Sequence, residues 1–268
     1  MCYFCGQINL TMTQSLSLRE LVEQMPTITL KEMKSIRLMK RTDTKFVTHM
    51  NKLLELLAMA QGHYFVQKVR GEMLSPYATT YFDSRDRFMF RIHQCGSRPR
   101  MKVRVRSYTN DGETFLEIKR KDNRNKTHKV RMQVPSLEDV LNDGVGEDFL
   151  QLNTGKTFAD LQPTVANRFR RITLVNFEKT ERLTIDFDIR FRDLQTGAET
   201  SFDDAVVIEL KRDGRAASPI LPLLRKLRIH PGGFSKYCVG TVMTGSGLRV
   251  NRYKKNLQRI HKRIQQGQ

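Results

Sequence analysis

The sequence predicts an α+β fold in which about eight antiparallel strands form a closed β-barrel, with helices packed on its outside. Short runs of alternating polar and apolar residues recur along the chain, as expected for strands with two different faces. Turn signals such as Asn-Asp-Gly at 110–112 separate neighbouring runs and favour antiparallel pairing. The apolar fraction of 39% is sufficient for a buried core.

The predicted elements follow one another without a Pro- or Ser-rich linker. In order, they are a helix at 16–25, a strand at 34–49, a helix at 50–61, strands at 63–69 and 78–83, a helix at 86–94, strands at 101–109, 114–121 and 128–134, weak helices within 136–152, strands at 167–175, 182–191 and 205–212, and helices at 218–228, 234–243 and within 248–268. We expect residues 1–30 to form an extension with one short helix, residues 31–246 to form the main domain, and residues 247–268 to form a basic tail.

Turn-forming residues set most of these boundaries. Pro26 ends the first helix because proline cannot continue it, and Gly62 ends the helix at 50–61. Residues 110–112 and 122–126 form the two turns of a three-stranded meander, which Pro135 closes. A Gly-containing turn at 196–198 precedes the last predicted strand.

The charge indicates a polyanionic partner. The chain has 47 Lys and Arg against 28 Asp and Glu, a formal charge of +19. This excess favours nucleic acid, a phosphate-rich molecule or an acidic membrane surface over neutral metabolites. The longest apolar stretch, at 53–60, is far shorter than the ~20 residues of a membrane span. With no readable secretory signal and no disulfide framework, we expect a cytoplasmic protein with reduced thiols, Cys2 and Cys5 included.

The polar faces of five predicted strands carry more bases than acids. The bases are Lys102, Arg104, Arg106, Lys119, Lys121, Lys129, Arg131, Arg182 and Lys211, and the acids are Glu117, Asp186, Asp188 and Glu209. A solvated face and an anion site both explain this pattern. With the charges inside, the barrel would form a basic tunnel for a chain of phosphates, and Glu117 and Glu209 could bind a bridging divalent cation.

Nine short motifs, in order between about 37 and 243, resemble the catalytic domain of the vacuolar transporter chaperone (VTC) proteins, the polyphosphate polymerase branch of the triphosphate tunnel metalloenzymes. They are RTDTKFV at 41–47, YFDS at 81–84, RVR at 104–106, EIK at 117–119, the basic residues Lys126, Lys129 and Arg131, FRRITL with Arg171, RLTID with Arg182, ELK at 209–211 and FSKY at 234–237. The first motif differs from the E-x-E-x-K of hydrolytic and cyclase-like tunnel enzymes, which favours the polymerase branch.

The resemblance implies transfer of the γ-phosphoryl group of ATP to a growing polyphosphate chain, with release of ADP and with Mn²⁺ or Mg²⁺ as the cofactor. The residues it implies for catalysis are Lys45, Arg104, Arg106, Lys119, Arg171, Arg182 and Lys236. Those it implies for substrate binding are Arg41, Lys129, Arg131, Lys211 and Ser235, and the metal ligand it implies is Glu209. Because the motif reads RRIT, Arg170 and Arg171 both remain candidates for the inward-facing arginine.

Two other functions remain open. A metal-dependent tunnel triphosphatase would use the same residues with water as the acceptor, and a non-catalytic module would only bind polyphosphate or nucleic acid. Interleaved aromatic and basic residues are sparse, so no specific nucleic acid is expected as a partner. For the basic stretch at 249–263 a solvated helix is favoured, and a contact with acidic lipid, nucleic acid or the emerging polymer stays open. Gly232 and Gly233 either expose helix N-terminal amides to phosphate or form a plain turn. The oligomeric state is left open.

Overall fold

The computed structural model describes residues 16–35, 41–214, 216–245 and 248–267, with only the backbone described at 34, 35 and 41. The strands in these ranges are β1 (Thr27–Thr29), β2 (Arg41–His49), β3 (Tyr64–Lys68), β4 (Ser75–Asp83), β5 (Arg100–Tyr108), β6 (Glu113–Lys121), β7 (Thr127–Val134), β8 (Gln162–Asn176), β9 (Glu181–Asp193), β10 (Glu199–Phe202) and β11 (Ala205–Asp213). The helices are α1 (Leu18–Glu23), α2 (Leu30–Ser35), α3 (Met50–Ala60), α4 (Phe88–Gln94), α5 (Leu137–Asn142), α6 (Glu147–Thr154), α7 (Ile220–Lys226), α8 (Lys236–Thr244) and α9 (Asn251–Gln265).

One large sheet contains all of these strands. Eight of them follow the order β2-β11-β9-β8-β4-β5-β6-β7, and every pair on this path is antiparallel. The short strands lie off the path: β10 pairs with β9, and β3 pairs with the end of β8. β1 pairs with β3 in parallel, so the sheet is not purely antiparallel.

The prediction of a closed barrel is wrong. β2 and β7 are the two ends of the hydrogen-bonded path, and no pairing joins them among the described residues. The outer edge of β2 is covered instead by the chain before α8: the Gly232 amide donates to the Lys45 carbonyl at 2.7 Å, and Phe46 bridges to Pro231. β7 keeps an exposed edge with charged side chains, which discourage further strand addition.

The open sheet nevertheless has the two predicted faces, one apolar against the helices and one charged. On β5 and β6, Val103, Leu116 and Ile118 are buried against Met89 of α4 and Leu150 of α6. A second apolar cluster joins α1, α3 and α7 to β9 and β11, and a third lies beneath α8 and α9. The helices therefore cover one face of the sheet and leave the other to polar side chains.

Most predicted elements are present, and the differences are local. β1, α2 and β10 were not predicted, because runs of three to six residues are too short to show a periodicity. The strand predicted from residue 34 begins at Arg41, and residues 36–40 lie outside the description. β8 is longer than predicted, because its first residues pair with β4 and its last ones with β3.

The basic stretch near the C-terminus forms a helix that packs on the domain. Tyr253 and Ile260 of α9 are buried, and Leu257 and Ile264 pack against the same cluster beneath α8 and α9. Only the opposite side of α9 is solvated, so the solvated-helix interpretation holds for one face alone. No helix in the described ranges is both long and apolar enough to span a membrane.

Candidate functional site

The polar side of the sheet forms a strongly charged surface, which we call the cationic face. It carries Lys45, Lys102, Arg104, Arg106, Glu117, Lys119, Arg171, Arg182, Asp186, Glu209 and Lys211, from strands β2, β5, β6, β8, β9 and β11. Lys45 of β2 and Lys119 of β6 line one cavity although their strands lie near opposite ends of the path. The sheet therefore curls around this face without closing.

Two cavities lie at opposite ends of the cationic face. The lysine cavity, of about 460 Å³, is lined by Lys45, Lys102, Lys119, Glu209 and Ser235 among others. The arginine cavity, of about 650 Å³, is lined by Arg131, Arg171, Arg182 and Lys211 among others. On β11, Glu209 lines the first cavity and Lys211, two residues further along the same face, lines the second. The two cavities are therefore the ends of one row of cations.

Lysine ammonium groups surround a carboxylate in the lysine cavity. Glu209 pairs with Lys45 at 3.7 Å and with Lys211 at 3.0 Å. Burial alone would raise the pKa of Glu209, but these two lysines outweigh it and hold that pKa well below its ordinary range. Glu209 is therefore ionised at neutral pH.

Two more lysines of this cavity have weakened basicity. Burial among protein atoms, together with nearby cations such as Lys45, lowers the pKa of Lys102 and of Lys119 to about 8 each. The Lys119 side chain still reaches water, because it projects into the open cavity. Lys102 donates to the Ser235 hydroxyl at 3.0 Å, and that hydroxyl accepts the Cys238 amide as the N-cap of α8.

Between the cavities, two buried carboxylates hold the central cations. Arg104 contacts Glu117 at 2.6 Å, and Lys129 also pairs with Glu117. Arg171 donates two hydrogen bonds to the Asp186 carboxylate, of 2.5 and 2.8 Å, and Lys236 forms an ion pair with the same carboxylate. These carboxylates hold the central cations in fixed positions.

The surrounding cations keep both central carboxylates ionised. Burial alone would raise the pKa of Glu117, but Arg104, Arg106 and Lys129 outweigh it and lower that pKa to about 2. In the same way, Arg171 and Lys236 overcome the burial of Asp186 and hold its pKa well below the ordinary range.

Aromatic rings support the central cations from one side. The Arg171 guanidinium lies 4.8 Å from the centre of the Tyr77 ring and 5.3 Å from that of Phe169, and the Lys236 ammonium lies 4.1 Å from the Phe169 ring. Tyr81 belongs to this group: Arg104 and Arg106 outweigh the effect of its burial and lower its pKa.

All seven predicted catalytic residues lie at the cationic face, although no observation tests their roles. Lys45 and Lys119 line the lysine cavity, and Arg171 and Arg182 line the arginine cavity. Between the cavities are Arg104, Arg106 and Lys236.

The predicted substrate-binding residues are more dispersed. Ser235 and Lys211 line the two cavities. On the exposed strand β7, Lys129 pairs with Glu117 and Arg131 stacks 4.4 Å from the centre of the Phe115 ring. The Arg41 side chain lies outside the description.

Arg171, not Arg170, faces the cationic side. Arg170 lies 5.6 Å from the centre of the Phe187 ring, on the opposite side of the sheet, and the register between β8 and β9 shifts just before it. The Gly232 amide donates to the Lys45 carbonyl at the edge of β2, so it is not directed at the cationic face, and residues 231–233 form an edge contact and not a plain turn.

Sequence reasoning left Lys102, Tyr81 and His93 out of the site. The alternation placed Lys102 on the same strand face as Arg104, but no site role was assigned to it. His93 of α4 reaches the lysine cavity, where burial and the nearby Lys102 lower its pKa to about 2 and keep it neutral. Tyr81 belongs to the YFDS motif at 81–84 but was given no role, and no local pattern indicates that His93 reaches this face.

The donor set fits a divalent cation that is shared with phosphate. The described residues contain no group of three or more His, Cys, Asp and Glu side chains that could hold a metal ion by themselves. Asp43 and Glu209 do line the lysine cavity together. Mg²⁺ in phosphate sites is usually held by one or two carboxylates and by the phosphate oxygens. Asp43 and Glu209 are therefore the carboxylates of this cavity that could hold such an ion.

Comparisons with known proteins identify the family. The family model described as the VTC domain matches residues 40–244. No curated protein matches the chain in sequence.

Three of the solved structures that are similar to this chain have low sequence identity to it. One is a Hippeastrum protein named as an adenylyl cyclase with a dominant triphosphatase activity (12% identity, TM-score 0.46, 78% of this chain and 99% of that one). Another, from Bacillus halodurans, is named as an adenylate cyclase (10% identity, TM-score 0.43, 80% and 97%). A third is a conserved hypothetical protein from Pyrococcus furiosus (14% identity, TM-score 0.40, 71% and 92%).

Proposed function

The chain belongs to the VTC domain family, and from this premise we propose that it is an ATP-dependent polyphosphate polymerase. It transfers the γ-phosphoryl group of ATP to the end of a growing polyphosphate chain and releases ADP. The observation that carries the proposal is the continuous row of cations between the lysine and arginine cavities. A row with a cavity at each end suits a polymer that extends beyond a single triphosphate.

In the proposed reaction, an ionised terminal oxygen of the polyphosphate chain attacks the γ-phosphorus of ATP. A new P–O bond forms there, and the bond between the γ-phosphorus and the β–γ bridging oxygen breaks. The electron pair of that bond leaves with ADP, so no general base is required. Such a reaction depends mainly on alignment and on neutralisation of charge.

The arginines and the lysines of the cationic face would contact the phosphates in different ways. Arg104 and Arg171 present planar guanidinium groups that suit bidentate contacts with phosphate oxygens, whereas Lys45, Lys119 and Lys236 act as point charges. Glu117 and Asp186 hold the central cations in register. Phosphate oxygens would replace part of these ion pairs when the substrate binds.

Glu209 would hold a Mn²⁺ or Mg²⁺ ion together with phosphate oxygens. When bound, the ion would neutralise charge on the transferring phosphates and fix their orientation. Lys45 and Lys211 flank the same carboxylate, so they would stay beside the phosphates.

Incubation of the protein with ATP and either Mn²⁺ or Mg²⁺, followed by gel separation of the products, tests the proposal. A polymerase yields ADP and a ladder of acid-labile polymer. Release of inorganic phosphate without polymer would replace the proposal with a triphosphatase. Binding of polyphosphate without any turnover would replace it with a binding module.

The substitution Glu209→Gln tests the metal ligand. We expect it to lower metal-dependent turnover by at least about 100-fold, because the ion loses its protein carboxylate. Binding of tripolyphosphate without metal should be retained, since the change removes a negative charge.

Glu199→Gln is the matched control, because Glu199 is exposed and pairs only loosely with Arg192, at 3.6 Å. It should leave turnover unchanged. Undiminished turnover in Glu209→Gln would contradict the assignment.

A further inference from the structure

Helix α9 has a basic surface that the proposed reaction does not use. Six of its fifteen residues are Lys or Arg, and none is Asp or Glu. Arg252, Lys255, Arg259 and Lys262 are exposed and follow one another at intervals of three or four residues. This spacing places them on one side of the helix, along about 15 Å. We call these four residues the α9 stripe.

The α9 stripe begins at the opening of the lysine cavity. Arg252 and Asn256 line this cavity together with Arg100 and Lys121. The Arg252 guanidinium is placed by a hydrogen bond of 3.0 Å to the Cys95 sulfur. From Arg252 the stripe leads along the helix, past Asn256, to Lys262. The positive surface thus continues out of the cavity onto the exterior.

The other side of α9 is fully engaged with the domain. Tyr253 and Ile260 are buried, and Leu257 and Ile264 pack with them against the apolar cluster. His261 lies with its ring 5.3 Å from that of Phe202. The apolar residues are therefore not available for insertion into a lipid surface, Tyr253 is buried, and the exposed His261 already has its ring against Phe202.

We propose that the α9 stripe binds the stretch of polyphosphate that lies outside the lysine cavity. This inference rests on the proposed function, because it names the polymer of the same site as the ligand. Polyphosphate has a uniform, flexible line of negative charge without bases or acyl chains. A solvated row of cations that continues the cavity matches this chemistry, and the apolar residues that would add insertion into a membrane are packed against the domain.

The double substitution Lys255→Gln with Arg259→Gln tests the α9 stripe, because it removes the two middle charges of the stripe. We expect the Kd for preformed long-chain polyphosphate to rise on the order of tenfold at moderate salt, and the salt dependence of binding to become shallower. The Kd for tripolyphosphate should not change, because so short an anion is contained within the cavity.

The matched control is Arg225→Gln with Lys226→Gln. It removes the same two charges from exposed positions of α7, which lines neither cavity. It should leave both Kd values unchanged. An unchanged Kd for the long polymer in the α9 variant would overturn the inference, as would an equal loss in the control.

Two further probes separate the other partners. Equal competition by single-stranded DNA against polyphosphate would overturn the inference in favour of nucleic acid. Stripe-dependent binding to vesicles with acidic lipid, with the polymer Kd unchanged, would overturn it in favour of a membrane. All of these measurements use preformed ligands. The polymerase proposal is tested by a different measurement, in which the unaltered protein is given ATP. If no polymer forms there, that proposal fails, whatever the binding measurements show for the α9 stripe.

Discussion

Lys102, Lys119 and Lys236 carry pH-sensitive charges of the cationic face. Burial lowers the pKa of each to about 8, and nearby cations add to this effect. At neutral pH they are largely protonated and can bind phosphate. Above pH 8 they lose their charge, whereas Arg104 and Arg171 keep theirs. The two residue types thus respond differently to pH.

We expect binding of tripolyphosphate to weaken from about pH 7 to about pH 9, as these lysines lose protons. Stability of the unliganded protein should change in the opposite direction. An unfolded lysine titrates near 10.5, so the unfolded chain binds more protons between about pH 8 and 10.5, and stability rises with pH there.

Calorimetric titration and thermal unfolding across this range would measure the two trends. Lys119→Arg provides a control, because its guanidinium stays charged and should reduce the loss of affinity at high pH. A Kd that does not change with pH would contradict the placement of these lysines at the phosphates.

At the level of elements, α8 positions Ser235 and Lys236 by packing closely on the sheet. Gly240 makes this approach possible: a Cβ atom there would lie 2.6 Å from Cδ1 of Phe191 and 2.9 Å from Cγ1 of Val165. Both neighbours are buried in the apolar cluster of β8 and β9. The helix can present its first residues to the cationic face only at this short distance.

The substitution Gly240→Ala should therefore destabilise the protein, although alanine favours a helix. Overpacking costs about 1–3 kcal/mol, and the gain in helix propensity offsets about 1 kcal/mol of it. We expect a net loss of about 1 kcal/mol in chemical denaturation and weaker binding of tripolyphosphate.

Val242→Ala is the control for a change in α8 that creates no clash, because Val242 is only partly buried. It should preserve phosphate binding. Unchanged stability and unchanged affinity in Gly240→Ala would show that α8 tolerates a larger separation from the sheet.

For the whole molecule, the charge of +19 and the curled sheet act together. The curl brings cations from strands far apart in the path to one cavity, where they repel one another in the absence of an anion. A bound polyanion removes this repulsion. The unliganded fold is therefore expected to be less stable than the complex.

Saturating tripolyphosphate should raise the melting temperature. At 100-fold excess over Kd the gain is about 2.7 kcal/mol, or roughly 5–10 °C for a protein of this size. Sodium chloride at the same ionic strength should have a much smaller effect, since it only screens the charges. Equal shifts with the two salts, measured by calorimetry, would argue against a phosphate site.

The sequence by itself determined which side chains share a strand face. Alternation in 101–109 and 114–121 placed Arg104, Arg106 and Lys119 together, because side-chain direction in a strand is a local property. The order of the motifs also indicated the VTC family, which the match at 40–244 confirms.

Only the tertiary structure decided how these faces meet. The Gly232 amide pairs with the edge of β2 in a sheet that stays open, and Arg171, just after the irregular pairing of β8 with β9, lies beside Asp186. The same structure paired Arg171 and Lys236 with Asp186, and packed α9 beside the lysine cavity. These contacts join residues far apart in the chain, and they depend on the curvature of the sheet, which no local pattern encodes.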